Sequence, residues 1–398
     1  MGKMLNNQAP ERSEKEALIV GRDWGLLWAL PYLLWRAGFC VDVIMTTRLI
    51  RSSRFVRSLW EVENGGALIQ TAVNQICARE KPYDWVIAAD DETVQSLGRI
   101  RWPEGLQPRN LPLQDAGRFP HLFSKIGLSR ALAAGGVQTP AFHVTADCAE
   151  AAAWARLHGY PVLVKVDASS GGAGVYQCNC DADIAKLEWL FAMQPMLVQK
   201  KIEGREFDLS AIYLDNQLVH FSCARIEAAY PRFGASILRR YYPLQLVDAK
   251  IFDELTHLQQ ALGINGFTNI ACIEAADGSG RYYFEVDLRA NAWVDHPRFF
   301  GEDPAERIRN WYSSRLPLAP QRITVRGKSE PITIPYFLRV SFGELLLNRH
   351  SVWRYIPFDD RRVVLKLLVR AFFAKATKLF LPQTLRMRLR SRLDEVFF

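Results

Sequence analysis

The chain has 398 residues, 49% hydrophobic and 23% charged, which is ordinary for a folded protein and long enough for two or three domains. Its net charge of +8 is confined to the end of the chain, because residues 361–398 contain ten Lys/Arg and two Asp/Glu and the first 360 residues are neutral. A neutral body argues against nucleic-acid binding, and the most apolar stretch, 25–35, is too short to span a bilayer.

The start of the chain and its cysteines indicate the compartment. Residues 1–16 are polar, with no apolar signal-peptide core, and we expect them to form a disordered arm. The seven cysteines are scattered without a disulfide framework. We therefore expect a cytoplasmic protein with reduced cysteines.

Strand and helix patterns alternate over the first hundred residues. In chain order they predict a strand ALIVG (17–21), a helix (24–37), a strand FCVDVIM (39–45), a helix (65–80) and a strand–turn–helix (84–97). This alternation predicts a small doubly wound α/β domain over 17–117. Such a domain can be purely structural, since a fold does not fix a function.

A proline- and glycine-bearing segment, 101–120, is typical of a linker. The patterns after it predict a helix (124–136), strand–helix–strand (139–166), a helix (181–193), a strand (196–202), a hairpin (206–226), a helix (248–262) and a second hairpin (269–289).

A glycine-rich loop follows the predicted strand in VLVKVDASSGGAGVY, residues 162–176. Glycines allow a backbone to approach phosphates closely. The loop is neither a Walker A loop nor a Rossmann fingerprint, because its lysine, Lys165, precedes the glycines and a further strand-like run follows them. It is either a lid that closes over a nucleotide or an ordinary tight hairpin.

The order of these parts resembles the ATP-grasp superfamily, ligases that phosphorylate a carboxylate and let a nucleophile displace the phosphate. The resemblance covers roughly residues 17–300. It implies a mixed α/β architecture and the use of ATP and Mg²⁺. The implied domains are a pre-ATP-grasp α/β domain (17–117), a lid subdomain (118–200) and a catalytic subdomain (201–330), followed by a helical basic extension (331–398).

The resemblance assigns nucleotide contacts to several short segments. FSKIGLSRALAAGGVQTP (123–140) and the glycine loop match the lysines and lid of the family, and LVQKKIEGREFD (197–208) matches its adenine hinge and ribose-binding acid. Gln199 stands where many members have Glu. Each segment also has a plain structural explanation, such as a solvated lysine or an exposed charged turn. The implied nucleotide-binding residues are Lys125, Lys165, Ser169, Ser170, Gly171, Gly172, Gly174, Gln199, Lys200, Lys201, Ile202 and Glu206.

FEVDLRAN (284–291) resembles the Glu-x-Asn-x-Arg motif that binds magnesium in the family, with Asp287 in place of the Asn. Because side chains alternate along a strand, Glu285, Asp287 and Arg289 are expected on one face, where two oxygen ligands suit Mg²⁺. A surface salt-bridge ladder is the alternative. The family's further acid is missing at 271–273, which leaves Glu274 as the nearest carboxylate and leaves the metal count open.

The family places an arginine and a glycine–serine loop near the acceptor substrate, in the stretch that corresponds to 224–243. Arginine binds carboxylates bidentately. Arg225 and Arg239 are the candidates we assign to catalysis together with Arg289, and Arg232, Gly234, Ser236 and Arg240 are further candidates for the acceptor site.

The resemblance implies an ATP- and Mg²⁺-dependent ligase that activates a carboxylate as an acyl phosphate and couples it to an amine, forming a carbon–nitrogen bond. Its substrates would be a small carboxylate and a small amine, and a homodimer is left open. Two alternatives remain: a carboxylase or carbamoyl-phosphate type of enzyme that uses bicarbonate, and a non-catalytic nucleotide-binding relative.

The basic tail has a helical pattern, since RVVLKLLVRAFFAKATKLF (362–380) places Arg362, Lys366 and Arg370 four residues apart. A basic amphipathic helix suits an anionic membrane surface, here the inner face of the membrane, or an acidic partner. The alternative is a helix that packs on the protein's own core with its basic side in solvent.

Overall fold

The computed structural model describes residues 3–6, 15–22, 24–47, 49–113, 117, 121, 123–169, 171–230, 233–318 and 330–380. The strands are β1 (Lys3–Asn6), β2 (Lys15–Gly21), β3 (Phe39–Met45), β4 (Ser58–Glu61), β5 (Trp85–Ala88), β6 (Phe142–Thr145), β7 (Val162–Val166), β8 (Val175–Cys178), β9 (Met196–Lys200), β10 (Gly204–Leu214), β11 (Gln217–Ala229), β12 (Ser236–Tyr242), β13 (Gly266–Ala275), β14 (Arg281–Asp287) and β15 (Ile332–Pro335). The α-helices are α1 (Trp24–Leu27), α2 (Leu30–Arg36), α3 (Gly65–Cys77), α4 (Asp91–Gly98), α5 (Lys125–Ala134), α6 (Cys148–His158), α7 (Asp181–Ala185), α8 (Glu188–Phe191), α9 (Lys250–Leu262), α10 (Pro304–Ser314), α11 (Phe342–Leu346) and α12 (Arg361–Phe380).

The chain forms two compact units. The first contains residues 1–112, 289–317 and 334–398, and the second contains 113–288 and 318–333. The described residues 334–380 are therefore grouped with the N-terminal sheet. The division into five segments that the sequence suggested stays a prediction.

The first unit is built on a five-stranded sheet in the order β1-β4-β3-β2-β5. Strands β4, β3, β2 and β5 are parallel, and their apolar runs are buried, as expected where helices pack on a parallel sheet. The predicted strands over 17–21 and 39–45 are confirmed. The predicted disordered arm over 1–16 is wrong for Lys3–Asn6, because this segment pairs antiparallel with β4 and satisfies the backbone groups of that edge.

One predicted helix of the first unit is divided. The pattern over 24–37 forms α1 and α2, and Pro31 lies in the first turn of α2, where its missing N–H costs no hydrogen bond. The strand–turn–helix predicted over 84–97 is present as β5 and α4, and the side chain of Asp90 caps α4 by accepting from the Thr93 N–H.

The second unit is built on two sheets whose described strand pairs are antiparallel. One has four strands in the order β6-β9-β7-β8, and the other has six in the order β14-β13-β10-β11-β12-β15. Helix α6 packs on the smaller sheet, where Ala151 and Ala155 meet Val162 and Val164 in a buried cluster. Both predicted hairpins are confirmed, and the two-residue turn at Asp215-Asn216 has positive φ at both positions, as a type I′ turn requires.

The C-terminal part of the first unit holds α11 and α12. Helix α12 confirms the helical pattern over 362–380 and buries Val363, Val364 and Leu367. Among the described helices, none combines the length and hydrophobicity that crossing a bilayer requires. Residues 381–398, the rest of the predicted tail, lie outside the described residues.

Candidate functional site

The glycine loop between β7 and β8 has the backbone conformation that explains its composition. Gly171, Gly172 and Gly174 have φ values of 61°, 78° and 73°, in the left-handed region that other residues rarely adopt. The Val166 N–H donates to the Gly174 carbonyl across 2.8 Å and closes the base of the loop. Ser170 lies outside the described residues.

Gly172 also touches a second loop of the same unit. A Cβ atom at this position would lie 2.2 Å from the carbonyl oxygen of Phe233, in the loop before β12. Only a glycine lets the two backbones approach so closely. The predicted lid is therefore folded onto the segment that we assigned to the acceptor substrate.

The start of α5 is joined to the residues that follow β7. The Ser124 hydroxyl caps α5 by accepting from the Gly127 N–H, and the carboxylate of Asp167 accepts from the Ile126 N–H at 2.8 Å and from the Ser124 hydroxyl at 2.9 Å. The anion at this helix N-terminus is therefore the protein's own Asp167. The sequence analysis missed this residue, although an acid directly after a strand and before a glycine loop is a visible signal.

Lys125 is bound to the loop from the first position of α5. Its Nζ donates to the carbonyl and hydroxyl oxygens of Ser169, at 2.5 Å and 2.9 Å. Burial lowers the pKa of this ammonium group, and the nearby carboxylates of Glu285, Asp167 and Asp287 oppose the shift. These electrostatic partners place Lys125 beside the strand that carries the predicted metal ligands.

Lys165 lies on β7, on the side away from the α6 cluster, as predicted from the alternation with its valine neighbours. Its side chain is 7% exposed, and its Nζ donates to Oε1 of Gln199 at 2.6 Å and lies 5.2 Å from the ring centre of Phe284. The pKa of Lys165 is lowered to about 8, chiefly because burial disfavours the charged form and also because Lys125 is near, whereas Glu285 and Glu206 oppose the change. Its hydrogen-bond acceptor on β9 is a neutral amide rather than a carboxylate.

The predicted hinge is the connection from β9 to β10. Gln199 is buried, Lys200 ends β9 with its N–H donated to the Ala141 carbonyl at 2.8 Å, and the Lys201 N–H donates to the Pro161 carbonyl at 3.3 Å. The Lys201 side chain pairs with Glu203, and Ile202 follows in the connection. These bonds fix the start of the connecting backbone at the C-terminal end of β9, between β6 and β7.

Strand register defines one face of the larger sheet, which we call the Glu206 face. Directly opposite residues of antiparallel strands share a face, and Asp208 of β10 lies opposite Ala271 of β13, which lies opposite Glu285 of β14. Glu206, two residues before Asp208, belongs to the same face. Glu206 is exposed, and its pKa is raised because surrounding atoms exclude part of its hydration and because Glu285 and Asp208 are near.

A β-bulge turns the predicted metal ligands onto this face. The pairing of β14 with β13 shifts between Ala271 and Cys272, so that Phe284 is an extra residue. Tyr283, before the bulge, is buried and donates to Glu254 of α9, whereas Glu285, after it, lies on the Glu206 face. Without the extra residue, the alternation would place Glu285 on the same side as Tyr283.

The donor set on this face suits Mg²⁺ held jointly with a ligand. Glu285 and Asp287 supply two hard oxygen donors, and the amide of Asn269 stands opposite Asp287. Mg²⁺ is usually bound by one or two carboxylates together with phosphate oxygens and water. Within the described ranges, no group of three or more His, Cys, Asp or Glu side chains lies close enough to form a complete metal cage.

Glu274 does not share the face of Glu285 and Asp287. It is three residues from Ala271, so alternation places it on the opposite face, where it lies across from Arg281 with 3.7 Å between its Oε1 and an Arg281 Nη1. The structure does not support a shifted register that would bring Glu274 to the metal. The register shift lies between Ala271 and Cys272, and it changes the face of Glu285 on β14 and not that of Glu274. Ala271 itself occupies the position opposite Glu285.

The three arginines assigned to catalysis lie in different surroundings. Arg239 is on the Glu206 face but is buried in a bidentate pair, with 2.7 and 2.8 Å from its Nη atoms to the Asp208 oxygens and 2.8 Å from its Nε to the Ser236 hydroxyl. Arg225 lies opposite Phe207, on the other face of the sheet, and pairs with Glu227. Arg232 lies outside the described residues.

Arg289 is a residue of the first unit. Strand β14 ends at Asp287, so the alternation that predicted a shared face for Arg289 stops before it. Its Nε donates to the carboxylate of Asp91 at 2.8 Å. Within the second unit, the structure thus brings together Lys125, Lys165, Ser169, Gln199, Glu206, Glu285 and Asp287, and it places Glu274 and Arg225 on the opposite face of the larger sheet.

No family model matches the chain. Among curated proteins, the large chain of carbamoyl phosphate synthase from Lachnoclostridium phytofermentans is 29% identical over 241 residues, which are 56% of this chain and 21% of that protein. The chain spans about a fifth of the length of the curated relatives that it matches.

Solved structures resemble the chain over most of its length. The biotin carboxylase domain of 2-oxoglutarate carboxylase from Hydrogenobacter thermophilus, in complex with MgADP, ADP and bicarbonate, aligns with a TM-score of 0.56 and 14% identity, over 75% of this chain and 70% of that chain. An L-amino acid ligase from Bacillus licheniformis aligns with a TM-score of 0.52 and 18% identity, over 80% and 78% of the two chains. The resemblance deduced from the sequence is confirmed at the level of architecture: this chain has the ATP-grasp fold.

Proposed function

We propose that the chain is an ATP- and Mg²⁺-dependent ligase that activates a carboxylate as an acyl phosphate and couples it to an amine, releasing ADP and phosphate. The observation that carries the proposal is the convergence of the half-buried Lys125 and the buried Lys165 with Glu285 and Asp287 beside a glycine loop in one unit. Cations, acidic metal ligands and backbone amides are the groups that phosphoryl transfer requires.

Each residue has a role that its position supports. Lys125 and Lys165 neutralise phosphate oxygens, and the folded glycine loop presents backbone N–H groups to them. Glu285 and Asp287 would hold Mg²⁺, which neutralises charge between the phosphates. Glu206 offers a carboxylate that accepts ribose hydroxyls, and the β9–β10 connection around Gln199 offers backbone groups to adenine.

The carboxylate substrate needs activation because oxide is a poor leaving group. Transfer of the γ-phosphoryl group forms a bond between phosphorus and the carboxylate oxygen and breaks the bond to ADP. An amine then attacks the acyl carbon, forms the amide and displaces phosphate, while its proton passes to solvent or to the leaving phosphate. Positioning and charge neutralisation account for these steps without a nucleophilic side chain.

The L-amino acid ligase among the structural neighbours supports the amide-forming reaction for this chain. The carbamoyl phosphate synthase relative and the carboxylase domain bound to bicarbonate support the second candidate, in which bicarbonate is the carboxylate that is phosphorylated. A non-catalytic nucleotide-binding protein is the third, since Ala271 stands where the family's further acid is expected.

One assay distinguishes the three candidates. The protein with MgATP is incubated with pooled carboxylates and amines, and with labelled bicarbonate and amines, and ADP and phosphate are measured. The ligase predicts ADP release that needs both a carboxylate and an amine, and that is lost in Glu285→Gln. Incorporation of labelled bicarbonate would favour the second candidate. Release of AMP and pyrophosphate, or no turnover with any pool, would contradict the proposal.

A further inference from the structure

Exposed large hydrophobic side chains are concentrated near the end of the first unit. Of the fifteen such side chains in the described part of the chain, seven lie between residues 346 and 373, so this segment is far richer in them than the rest. Extended apolar surface of this kind marks interaction sites. The seven are Leu346, Leu347, Trp353, Phe358, Leu365, Phe372 and Phe373.

The first part of this surface is a helical hairpin. Helix α11 begins with a capping box between Ser341 and Glu344, and a 3₁₀ turn over Arg349–Tyr355 folds back on it. The Trp353 indole Nε1 donates to the Leu345 carbonyl at 2.9 Å, next to the two leucines that are 71% and 69% exposed. Buried Val352 anchors the turn, so Trp353 is presented from a fixed backbone.

The second part is the outer side of α12. The helix buries Val363, Val364 and Leu367, whereas Leu365 and Phe372, seven residues apart and thus on one side, are exposed. Lys375, one turn after Phe372, donates its Nζ to the Val340 carbonyl, two residues before α11. That bond joins the end of the exposed stripe to the base of the hairpin, and we call the two parts the α11–α12 surface.

The charge of this surface is positive. Residues 342–375 contain seven Lys/Arg and three Asp/Glu, and each of the three acids is engaged: Glu344 in the capping box, Asp359 with Arg298 and Tyr32, and Asp360 in the interior. The basic side chains Arg349, Arg354, Arg361 and Arg362 are exposed beside the apolar ones. Leucine, tryptophan and arginine together suit the boundary between acyl chains and anionic headgroups.

We propose that the α11–α12 surface docks the protein on an anionic membrane surface, with Leu346, Leu347 and Trp353 inserted among the lipids and the flanking arginines on their phosphates. Charge selects this occupant over a second copy of the chain, since a two-fold contact would place the same positive patch on both sides. The proposal is independent of the ligase function. It also differs from the sequence-based expectation, because the hairpin before residue 361 supplies the main apolar anchors.

Vesicle co-sedimentation tests this proposal with the full-length protein. The probes are phosphatidylcholine vesicles with and without about one third phosphatidylglycerol. Wild type is expected to bind the anionic vesicles and to release them at high salt. Leu346→Asp with Leu347→Asp should weaken binding by on the order of tenfold or more, because two apolar anchors become like-charged with the lipid. Arg349→Glu with Arg354→Glu should weaken it by roughly fivefold per charge removed.

Leu157→Asp is the matched control, because Leu157 is 81% exposed and lies in the second unit. It should bind vesicles like wild type. These point changes leave the buried side of α12 intact, and circular dichroism checks the fold. Equal binding of wild type to both vesicle types would overturn the proposal, as would an equal loss in the Leu157 variant. A dimer in light scattering that Leu346→Asp dissociates would also overturn it, since the surface would then contact a second copy.

Discussion

Lys165 has a buried ammonium group whose hydrogen-bond acceptor, the Gln199 amide oxygen, is neutral. A glutamate at residue 199, which the family resemblance leads one to expect, would neutralise the lysine before any ligand arrives. With Gln199, the positive charge of Lys165 is available to the phosphates of a nucleotide. Burial correspondingly lowers the pKa of Lys165 to about 8.

This shift predicts a pH dependence of nucleotide binding. Phosphates favour the charged form of Lys165, so the affinity for MgATP should fall as pH rises through about 8, by at most tenfold per pH unit. Calorimetric titration with a non-hydrolysable ATP analogue between about pH 7 and about pH 9 measures it. Lys165→Met should bind more weakly and show a much smaller decline. Parallel declines in the two proteins would assign the effect to another group.

The same shift has a defined sign for stability. The folded pKa lies below the unfolded one, so the unfolded chain binds the extra proton between the two values, and stability rises with pH there. The loss of folding stability caused by burying the charged form of Lys165 is therefore complete below about pH 8, and it decreases as the pH rises above that value.

Arg239 should behave as a positioning residue that acts through Asp208. Removing one member of a buried pair leaves an uncompensated charge, so Arg239→Met is expected to lower the free energy of unfolding by about 3–5 kcal/mol. Arg239→Met with Asp208→Leu should cost less than Arg239→Met alone. Urea unfolding of the three proteins measures this. An Arg239→Met protein with wild-type stability but impaired turnover would instead indicate direct substrate contact.

At the scale of elements, the strands with regular alternation of apolar and polar residues could be predicted from the sequence. The bulge and the strand end that interrupt this alternation could not. The hairpins over 206–226 and 269–289 follow from period-two patterns and turn residues. The bulge at Phe284 has no such signal, since its cause is the pairing with β13. No sequence signal marks the end of β14 at Asp287 either. For this reason Arg289 was predicted to lie on the same face as Glu285.

Strand β12 is a second element that the sequence pattern did not predict. The family resemblance places an arginine and a glycine–serine loop within 224–243, and in the structure Ser236–Tyr242 of this stretch form a strand that pairs with β11. Arg239 and Arg240 are adjacent in β12, so the sequence does not show the alternation of apolar and polar residues that marks a half-buried strand. Arg239 is nevertheless buried, because it pairs with Asp208 on β10. Such pairing between distant residues cannot be read from local pattern.

Two substitutions in the glycine loop distinguish the effect of backbone strain from the effect of losing the contact with Phe233. Gly171 and Gly172 both have positive φ, but a Cβ at Gly171 meets nothing within 4 Å, whereas one at Gly172 would be 2.2 Å from the Phe233 carbonyl oxygen. Gly171→Ala should therefore cost only the left-handed strain, about 1–2 kcal/mol. Gly172→Ala should in addition separate the loop from its partner, with faster proteolysis of the loop and weaker MgATP binding.

Limited proteolysis with and without MgATP measures this difference. Loops held by backbone contacts are cleaved slowly, and freed loops are cleaved faster. Equal cleavage rates in the two alanine variants would show that the contact with Phe233 does not hold the loop.

At the scale of the whole molecule, the first unit was the part that the sequence described least completely. Its N-terminal strands were predicted, but it also includes residues 289–317 and 334–398. Arg36 of α2 pairs with Asp295 and Asp303, and Arg298 pairs with Asp359, so charged residues from three separate parts of the chain meet. Burial raises the pKa of Asp295 to about 7 in spite of its arginine partners. Long-range pairs of this kind appear only once the chain is folded.

The placement of the site on the Glu206 face is the central claim, and thermal unfolding with Mg²⁺ alone and with Mg²⁺ plus ATP tests it most directly. Glu285→Ala removes a carboxylate from that face, and Glu274→Ala, the matched control, removes one from the opposite face of the same sheet. At about 100 times its dissociation constant, ATP should stabilise wild type and Glu274→Ala by roughly 2.7 kcal/mol and Glu285→Ala by much less. Equal stabilisation of all three proteins, or of none, would contradict the account.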